Sequence, residues 1–370
     1  MAVRNGEAFV REAIESVLSQ SVTDFEFLIV DDASTDDTQG ILASYQRQDP
    51  RVHLLRNEQN LGAYPSANRA LRQARGVYVA RHDADDISPP DRFAVQLAAL
   101  DAHEDTSLVT GAVEVFDEKN RRLTIIDRPP SGQPRLEWDL LFANAVGAGA
   151  HVMFPRVFRG APVLYPTKYA YAEDYGLWCS LSLRGRVSCP SAVVYRYRQH
   201  DSSISGTKKA EQDECFSFLR HEYQSLYFRT KVTRDASAAL SRFWTADGSR
   251  PLSEGLDRIG AMIAELTANF LTYVEQRYGP SERAAFEREL DDTLGDRLGY
   301  WLYRSIRFLD GRACGEIIAL AGARGVSMSV SGKAFEQAAS AVLRRFRRVQ
   351  DAGRQALGDM PVASDSRSSR

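Results

Sequence analysis

Segments of helical and strand periodicity alternate along the first third of this chain, and that order restricts its fold more than any single residue does. From Glu7 to Gln20 the apolar residues Phe9, Val10, Ala13, Ile14, Val17 and Leu18 recur at helical spacing, and Phe25-Glu26-Phe27-Leu28-Ile29-Val30 then reads as a buried strand. The pattern predicts a helix over 38–48, a strand over 52–55, a helix over 63–74 and a strand over 77–81. Pro89-Pro90-Asp91 opens a further helix through Leu100, and Ser107 to Val115 reads as one more strand. Such order predicts an α/β fold, a mostly parallel, Rossmann-like sheet sandwiched by helices. Only Met1 to Arg4 precede the turn Asn5-Gly6, too few residues for a buried central strand. The first strand is therefore expected to be cut short, because translation begins upstream of Met1 or because the chain is truncated; a naturally short strand is the alternative.

Beyond Lys208 the pattern becomes helical, with Leu256, Ile259, Ile263, Leu266, Phe270 and Val274 at steps of three and four. The expected organisation is a catalytic α/β domain over 1–207, a helical C-terminal domain over 208–352 and a disordered tail over 353–370. Lys plus Arg, 47, nearly balances Asp plus Glu, 49, so no global footprint for nucleic acid exists. The four cysteines form no C-x-x-C pair, which disfavours a zinc ribbon and a disulfide framework. No apolar run of roughly 18 residues and no export leader is present, so a cytoplasmic location is expected.

The most informative chemistry lies in Tyr78-Val79-Ala80-Arg81-His82-Asp83-Ala84-Asp85-Asp86, where an apolar run breaks into clustered carboxylates at a strand end. Oxygen ligands suit Mg²⁺ or Mn²⁺, and a protein that binds such an ion through substrate phosphates needs only one or two carboxylates. Asp83 and Asp85 are the candidate pair; a solvated acidic turn is the competing reading.

Four segments in order resemble the family 2 glycosyltransferases of GT-A fold: Asn5-Gly6-Glu7 with Ile14 to Gln20; Val30-Asp31-Asp32-Ala33-Ser34-Thr35-Asp36; Asp83-Ala84-Asp85-Asp86; and Glu173-Asp174-Tyr175. Together they span roughly residues 1 to 205. The resemblance implies metal-dependent, inverting transfer from a nucleotide-diphosphate sugar, a UDP-sugar first among candidates, to a glycan or lipid-linked acceptor in surface polysaccharide synthesis. It gives Asp32 the nucleobase contact, places Asp31, Asp83 and Ala84 at the donor, and makes Asp174 the base that takes the acceptor proton. Glu173 can orient a neighbour, bind acceptor or be the base itself; acids among aromatics can be raised in pKa toward that use. Arg4 stands where the family usually has an aromatic residue, and a guanidinium also stacks. Asn60-Leu61-Gly62-Ala63 resembles a turn in which Gly62 admits a close approach of backbone to ligand. His200, in a segment like the family's His-x-x-Ser-x-Ser, is a candidate to complete the metal shell or contact diphosphate. His151 is a weaker candidate of the same kind, and His82 is read as structural. Ser34-Thr35-Asp36 is expected to cap the next helix, and Tyr175 and Trp178 are expected in the core.

Arg344, Arg345, Arg347 and Arg348 among apolar residues suit peripheral contact with an anionic membrane surface, as well as a plain solvated helix face. Residues 125–141 are expected to form a flexible cover over the acceptor. Two rival functions share some of these features. A haloacid dehalogenase-type phosphatase shares D-x-D after an apolar strand, but Ile87 is the wrong residue and the second acidic loop is missing. A catalytically dead sugar or nucleotide binder conflicts with the joint presence of Asp32, Asp83, Asp85 and Asp174.

Overall fold

The computed structural model describes residues 1–126, 133–147, 149–169, 171–200, 209–247, 256–307 and 311–324. The order is β1 (Ala2–Val3), α1 (Val10–Leu18), β2 (Phe27–Asp31), α2 (Thr38–Gln48), β3 (Val52–Arg56), α3 (Ala63–Gln73), β4 (Tyr78–Ala80), α4 (Arg92–Asp101), β5 (Thr106–Val109), β6 (Ala112–Asp117) and β7 (Arg122–Ile126). There follow α5 (Gln133–Leu140), β8 (Met153–Pro155), β9 (Val157–Phe158), β10 (Ala161–Pro162), α6 (Glu173–Arg184), β11 (Arg186–Ser188) and β12 (Val193–Gln199). Five further helices are α7 (Lys209–Ser225), α8 (Arg234–Thr245), α9 (Leu256–Tyr278), α10 (Pro280–Arg307) and α11 (Gly311–Arg324). The chain forms two compact units, Met1–Ala238 and Ala239–Arg370, so α7 belongs with the strands that precede it. Arg344, Arg345, Arg347 and Arg348 and the tail 353–370 lie outside the described residues.

In the first unit the predicted alternation is realised. The stripe Val10, Ala13, Ile14 and Val17 faces inward on α1, and Val10, Ile14 and Val17 share a core with Ile29 of β2, Ile41 of α2 and Val52 of β3. A second core joins Leu108, Phe154, Trp178 and Leu181; Tyr175 and Trp178 are fully buried within it, as expected. Strands β1, β2 and β3 pair in parallel, as do β11 with β5 and β12 with β6. The layer is nonetheless mixed, because β8 runs antiparallel between β4 and β5 and β7 runs antiparallel to β6. The two-residue β1 and the three-residue β4 lie in different sheets. An apolar cleft of about 790 Å³ is lined by both Phe27 and Leu28 of β2 and Tyr78 and Val79 of β4, and by none of Asp83, Asp85, Asp174 or His200.

The single strand expected from Ser107 to Val115 is two, β5 and β6, which enter different sheets. The break is Thr110-Gly111, where a Cβ on Gly111 would lie 2.6 Å from Val194 Cγ2, so the chain crosses between sheets where a side chain has no room. Of the segment expected as a flexible cover over 125–141, residues 127–132 lie outside the described residues; the rest comprises the end of the exposed β7 and α5, whose Trp138 is fully buried.

Arg92 ties the first unit together. This guanidinium, 1% exposed, donates to Ser88 Oγ at 2.9 Å, Gln96 Oε1 at 3.0 Å and the carbonyls of Arg81, Ala150 and Val152 at 2.6, 3.0 and 3.3 Å. It thus joins α4 to the carboxyl end of β4 and the approach to β8. Arg92→Met removes every donor and leaves buried oxygens unmatched, so urea unfolding should show a loss of about 3 kcal/mol or more.

In the second unit, Ile259, Ile263, Leu266, Phe270 and Val274 of α9 are buried as the spacing predicted. Trp301 of α10 is buried with them and donates Nε1–H to Phe243 O at 3.0 Å. Among the described residues no helix is long and apolar enough to cross a membrane.

Candidate active site

Two strand ends and one helix start build the site. Strand β4 ends at Ala80, Arg81 still donates its backbone N–H to Val152 O at 3.1 Å, and His82 to Asp86 turn away as a loop at the carboxyl edge. Asp83 Oδ1 is 2.7 Å from Arg81 Nη2, its backbone N–H donates to Tyr195 Oη at 3.0 Å, and its side chain is 37% exposed. Asp86 is buried and receives Arg198 N–H at 2.8 Å on Oδ1. Arg198 also donates Nε–H to Asp85 O at 2.8 Å, pairs with Glu12 at 2.5 Å and lies over the rings of Phe9 and Phe116. Strand β12 therefore clamps the acidic loop, and its last turn brings His200 Nε2 to 3.0 Å from Asp85 Oδ2. Burial first, then the Asp83 charge, pushes the Asp85 carboxyl above its ordinary range, with His200 working the other way. Among the described residues no three His, Cys, Asp or Glu stand close enough to hold a metal by themselves.

At the end of β2, Asp31 and Asp32 are both buried. Asp32 Oδ1 accepts from Asn57 Nδ2 at 2.7 Å and Leu61 N at 2.8 Å, and Oδ2 accepts from Gly62 N at 2.8 Å. Its carboxylate thus organises the turn into α3. Gly62 has φ 91°, in the left-handed region that suits glycine, and its close polar approach is to Asp32. Asp31 Oδ1 accepts Ser34 N–H at 3.0 Å, while Oδ2 is buried without a hydrogen-bond partner and is 3.8 Å from Arg56 Nε. Arg4 is exposed just after β1. Ser34-Thr35-Asp36 does not supply the N-cap of α2: that position is Asp37, with no side-chain cap hydrogen bond, while Asp36 Oδ1 accepts Thr38 N–H at 3.1 Å and Oδ2 accepts Glu7 N–H at 3.1 Å, tying the start of α2 to the turn after β1. Ala84 packs against the α1 core.

Helix α6 starts with Glu173 and Asp174, both buried. Asp174 Oδ1 accepts Tyr175 N–H at 2.7 Å and Oδ2 accepts Asn144 Nδ2–H at 3.3 Å. Burial raises the Asp174 carboxyl to about 6; those two donors oppose the shift and the charge of Asp83 adds to it, so the two acids sense one another. Glu173 is pushed to about 7, by burial first and by the Asp174 charge among the lesser causes. Folded values above the ordinary ones favour the protonated form. The associated stability is present below about pH 4 and is lost as pH rises through about 6 and 7. Glu173→Gln should therefore raise the thermal midpoint at pH 8 and change it little at pH 4, which melts at the two pH values will read.

His151 is buried with Nε2 2.9 Å from Val146 O, a structural placement. Burial and the Arg92 charge hold His82 well below its ordinary pKa, and Nδ1 is 3.2 Å from Ser88 Oγ, a placement within the buried network around Arg92. Ser203 and Ser205 of the His-x-x-Ser-x-Ser segment lie outside the described residues. Sequence reasoning missed Arg81, Asn144, Tyr195 and Arg198. A cation directly after the apolar run at β4 was a visible signal for Arg81; the others are brought to the site only by the fold.

Residues 1–154 match the family described as Glycosyl transferase family 2. The chain is 37% identical over 234 residues to an uncharacterized glycosyltransferase of Methanocaldococcus jannaschii, covering 61% of this chain and 79% of that one. It is 27% identical over 230 residues to the Escherichia coli UDP-Glc:alpha-D-GlcNAc-diphosphoundecaprenol beta-1,3-glucosyltransferase WfgD, covering 60% and 87%. In fold it is similar to S. aureus TarS 1-349, solved in complex with UDP-GlcNAc: TM-score 0.52, 18% identity, 82% of this chain and 90% of that one. With strand ends at one carboxyl edge, acids placed on them and relatives that match most of their own length, the chain belongs to glycosyltransferase family 2 and has the GT-A fold.

Proposed function

We propose that this glycosyltransferase moves a sugar from a nucleotide-diphosphate donor, a UDP-sugar, to an acceptor hydroxyl with inversion. The observation that carries the reading is the convergence of Asp83, of Asp85 beside His200, and of Asp174 with its carboxyl raised to about 6. Asp85 and His200, with Asp83 beside them, are the residues that would hold Mg²⁺ or Mn²⁺. Two side chains suffice when the donor's diphosphate and water complete the shell. When bound, the cation supplies Lewis-acid stabilisation of the departing nucleoside diphosphate. Asp174 takes the proton from the acceptor hydroxyl as that oxygen bonds to the anomeric carbon from the face opposite the breaking carbon–oxygen bond to phosphate; inversion follows. Glu173, raised still further to about 7, is divided between its neutral and charged forms at pH 7 and flanks Asp174 at the same helix start. At the donor's other end, Asp31 and Asp32 face the nucleobase, Arg4 stacks on it, and Gly62 and Ala84 leave room for the nucleotide.

The name of the E. coli relative supports a UDP-sugar donor and a lipid-linked acceptor, and a surface polysaccharide is the proposed product. Location at the inner face of the membrane would follow from Arg344, Arg345, Arg347 and Arg348, whose charges suit anionic headgroups. Co-sedimentation with phosphatidylglycerol vesicles but not with phosphatidylcholine vesicles is expected; equal recovery with both contradicts this membrane contact. Thermal-shift binding of UDP, GDP, dTDP and CDP, each with and without Mn²⁺, tests the donor. UDP should stabilise the chain most, and only with Mn²⁺; stabilisation by a different nucleotide moves the donor's base, and no response to any of them counts against a nucleotide-sugar site.

A further inference from the structure

Asn144 is fixed more firmly than a turn residue needs to be. It follows α5, and its side-chain amide is held twice by one glycine: Oδ1 accepts Gly147 N–H at 3.0 Å and Nδ2 donates to Gly147 O at 3.1 Å. Gly147 has φ 90°, a left-handed conformation that suits glycine. This pairing settles which way the amide faces, since an exchanged nitrogen and oxygen would set donor against donor and acceptor against acceptor. The other Nδ2 hydrogen is then aimed at Asp174 Oδ2, 3.3 Å away. Tyr175 N–H takes the opposite oxygen at 2.7 Å, so each carboxylate oxygen has one donor and Oδ2 keeps a lone pair for an acceptor hydroxyl. The same turn passes closely over the aspartate, for a Cβ on Gly149 would lie 3.1 Å from Asp174 Cβ and 3.3 Å from Tyr64 Oη.

We propose that Asn144 is the positioning residue of Asp174, a preset amide that orients its carboxylate and favours the charged form. The proposal rests on the reading of Asp174 as the base. The other groups that bear on this carboxyl are Glu173 and Cys179 of its own helix, Tyr64 of α3, Tyr165, and Asp83 from the loop after β4, paired with Arg81. All but Arg81 are acids, and each of those, when ionised, opposes the carboxylate. Asn144 is the side-chain donor that supports it.

The test is a carbon-13 NMR titration of the full chain labelled at the aspartate carboxyl carbons, in which the resonance absent from Asp174→Asn identifies Asp174. Its midpoint in the native protein should lie at about 6. In Asn144→Ala it should rise by about half a unit to one unit. In the isosteric Asn144→Asp, which still accepts Gly147 N–H but faces Asp174 with a second carboxyl, it should rise further. A midpoint unmoved in both variants overturns the positioning role, because a residue that merely shapes the turn does not set this titration. Asp174→Asn with normal sugar transfer overturns the base assignment, and the catalytic meaning of Asn144 with it, whatever the midpoint does.

Discussion

Asp85→Ala should abolish metal-dependent turnover while leaving the fold intact. Asp85 is the acid that meets His200, at 3.0 Å, and its side chain is 40% exposed, so the carboxylate is accessible while its backbone oxygen is already fixed by Arg198. Truncation removes the carboxylate that would bind the metal and leaves Arg198 bound to the same carbonyl. It also relieves a like-charge contact, because the Asp83 charge raises Asp85. The expected loss in kcat is about 1,000-fold, equivalent to ~4 kcal/mol of stabilisation of the leaving diphosphate. The melting temperature should stay within a few degrees of the parent. Unchanged turnover in the presence of Mn²⁺ would remove Asp85 from the metal site.

Asp174→Asn should bind donor and fail to transfer. The substitution is isosteric and keeps an acceptor for Tyr175 N–H, yet an amide cannot take the acceptor proton. General-base loss of this kind lowers kcat by about 100- to 10,000-fold with little change in donor affinity. In the parent, activity should rise with pH through about 6 as the carboxyl ionises. The same variant sets its amide N–H against the Asn144 donor, a cost that does not vary with pH, so it is its stability relative to the parent that should rise with pH. Raising a buried carboxyl from 3.8 to about 6 means that ionising it opposes folding by about 3 kcal/mol once pH exceeds the folded value, and asparagine carries no such burden. Urea unfolding at pH 4 and pH 8 should show the variant's advantage growing with pH. A normal transfer rate would move the base elsewhere.

Most of the scaffold was legible because its elements are short and amphipathic in register with their own periodicity: α2 spans the predicted 38–48, and α9 buries the predicted stripe. Two features were not. The apolar run from Ser107 to Val115 has no periodic interruption, and only the packing of Val194 against Gly111 shows why it breaks. Strand β8 is three residues long and pairs antiparallel with β4, some seventy residues earlier in the chain, which no local pattern encodes. Within the site, the acids could be read because carboxylates at strand ends are conspicuous. Their supports could not, because Arg198 reaches Asp86 across 112 residues and Asn144 reaches Asp174 across 30. The resemblance gives Asp32 a nucleobase contact alone; its bonds to Leu61 and Gly62 add a backbone-organising role that no local pattern encodes.

The most direct test of the central claim is calorimetric titration of UDP into the native chain, Asp85→Ala and Asp174→Asn, each with and without Mn²⁺. Strong UDP binding that requires Mn²⁺ in the native chain and in Asp174→Asn, and is lost in Asp85→Ala, is the predicted result. UDP binding of equal strength in all three proteins with or without Mn²⁺, or binding in none, would contradict a metal-assisted nucleotide-sugar site at this crevice.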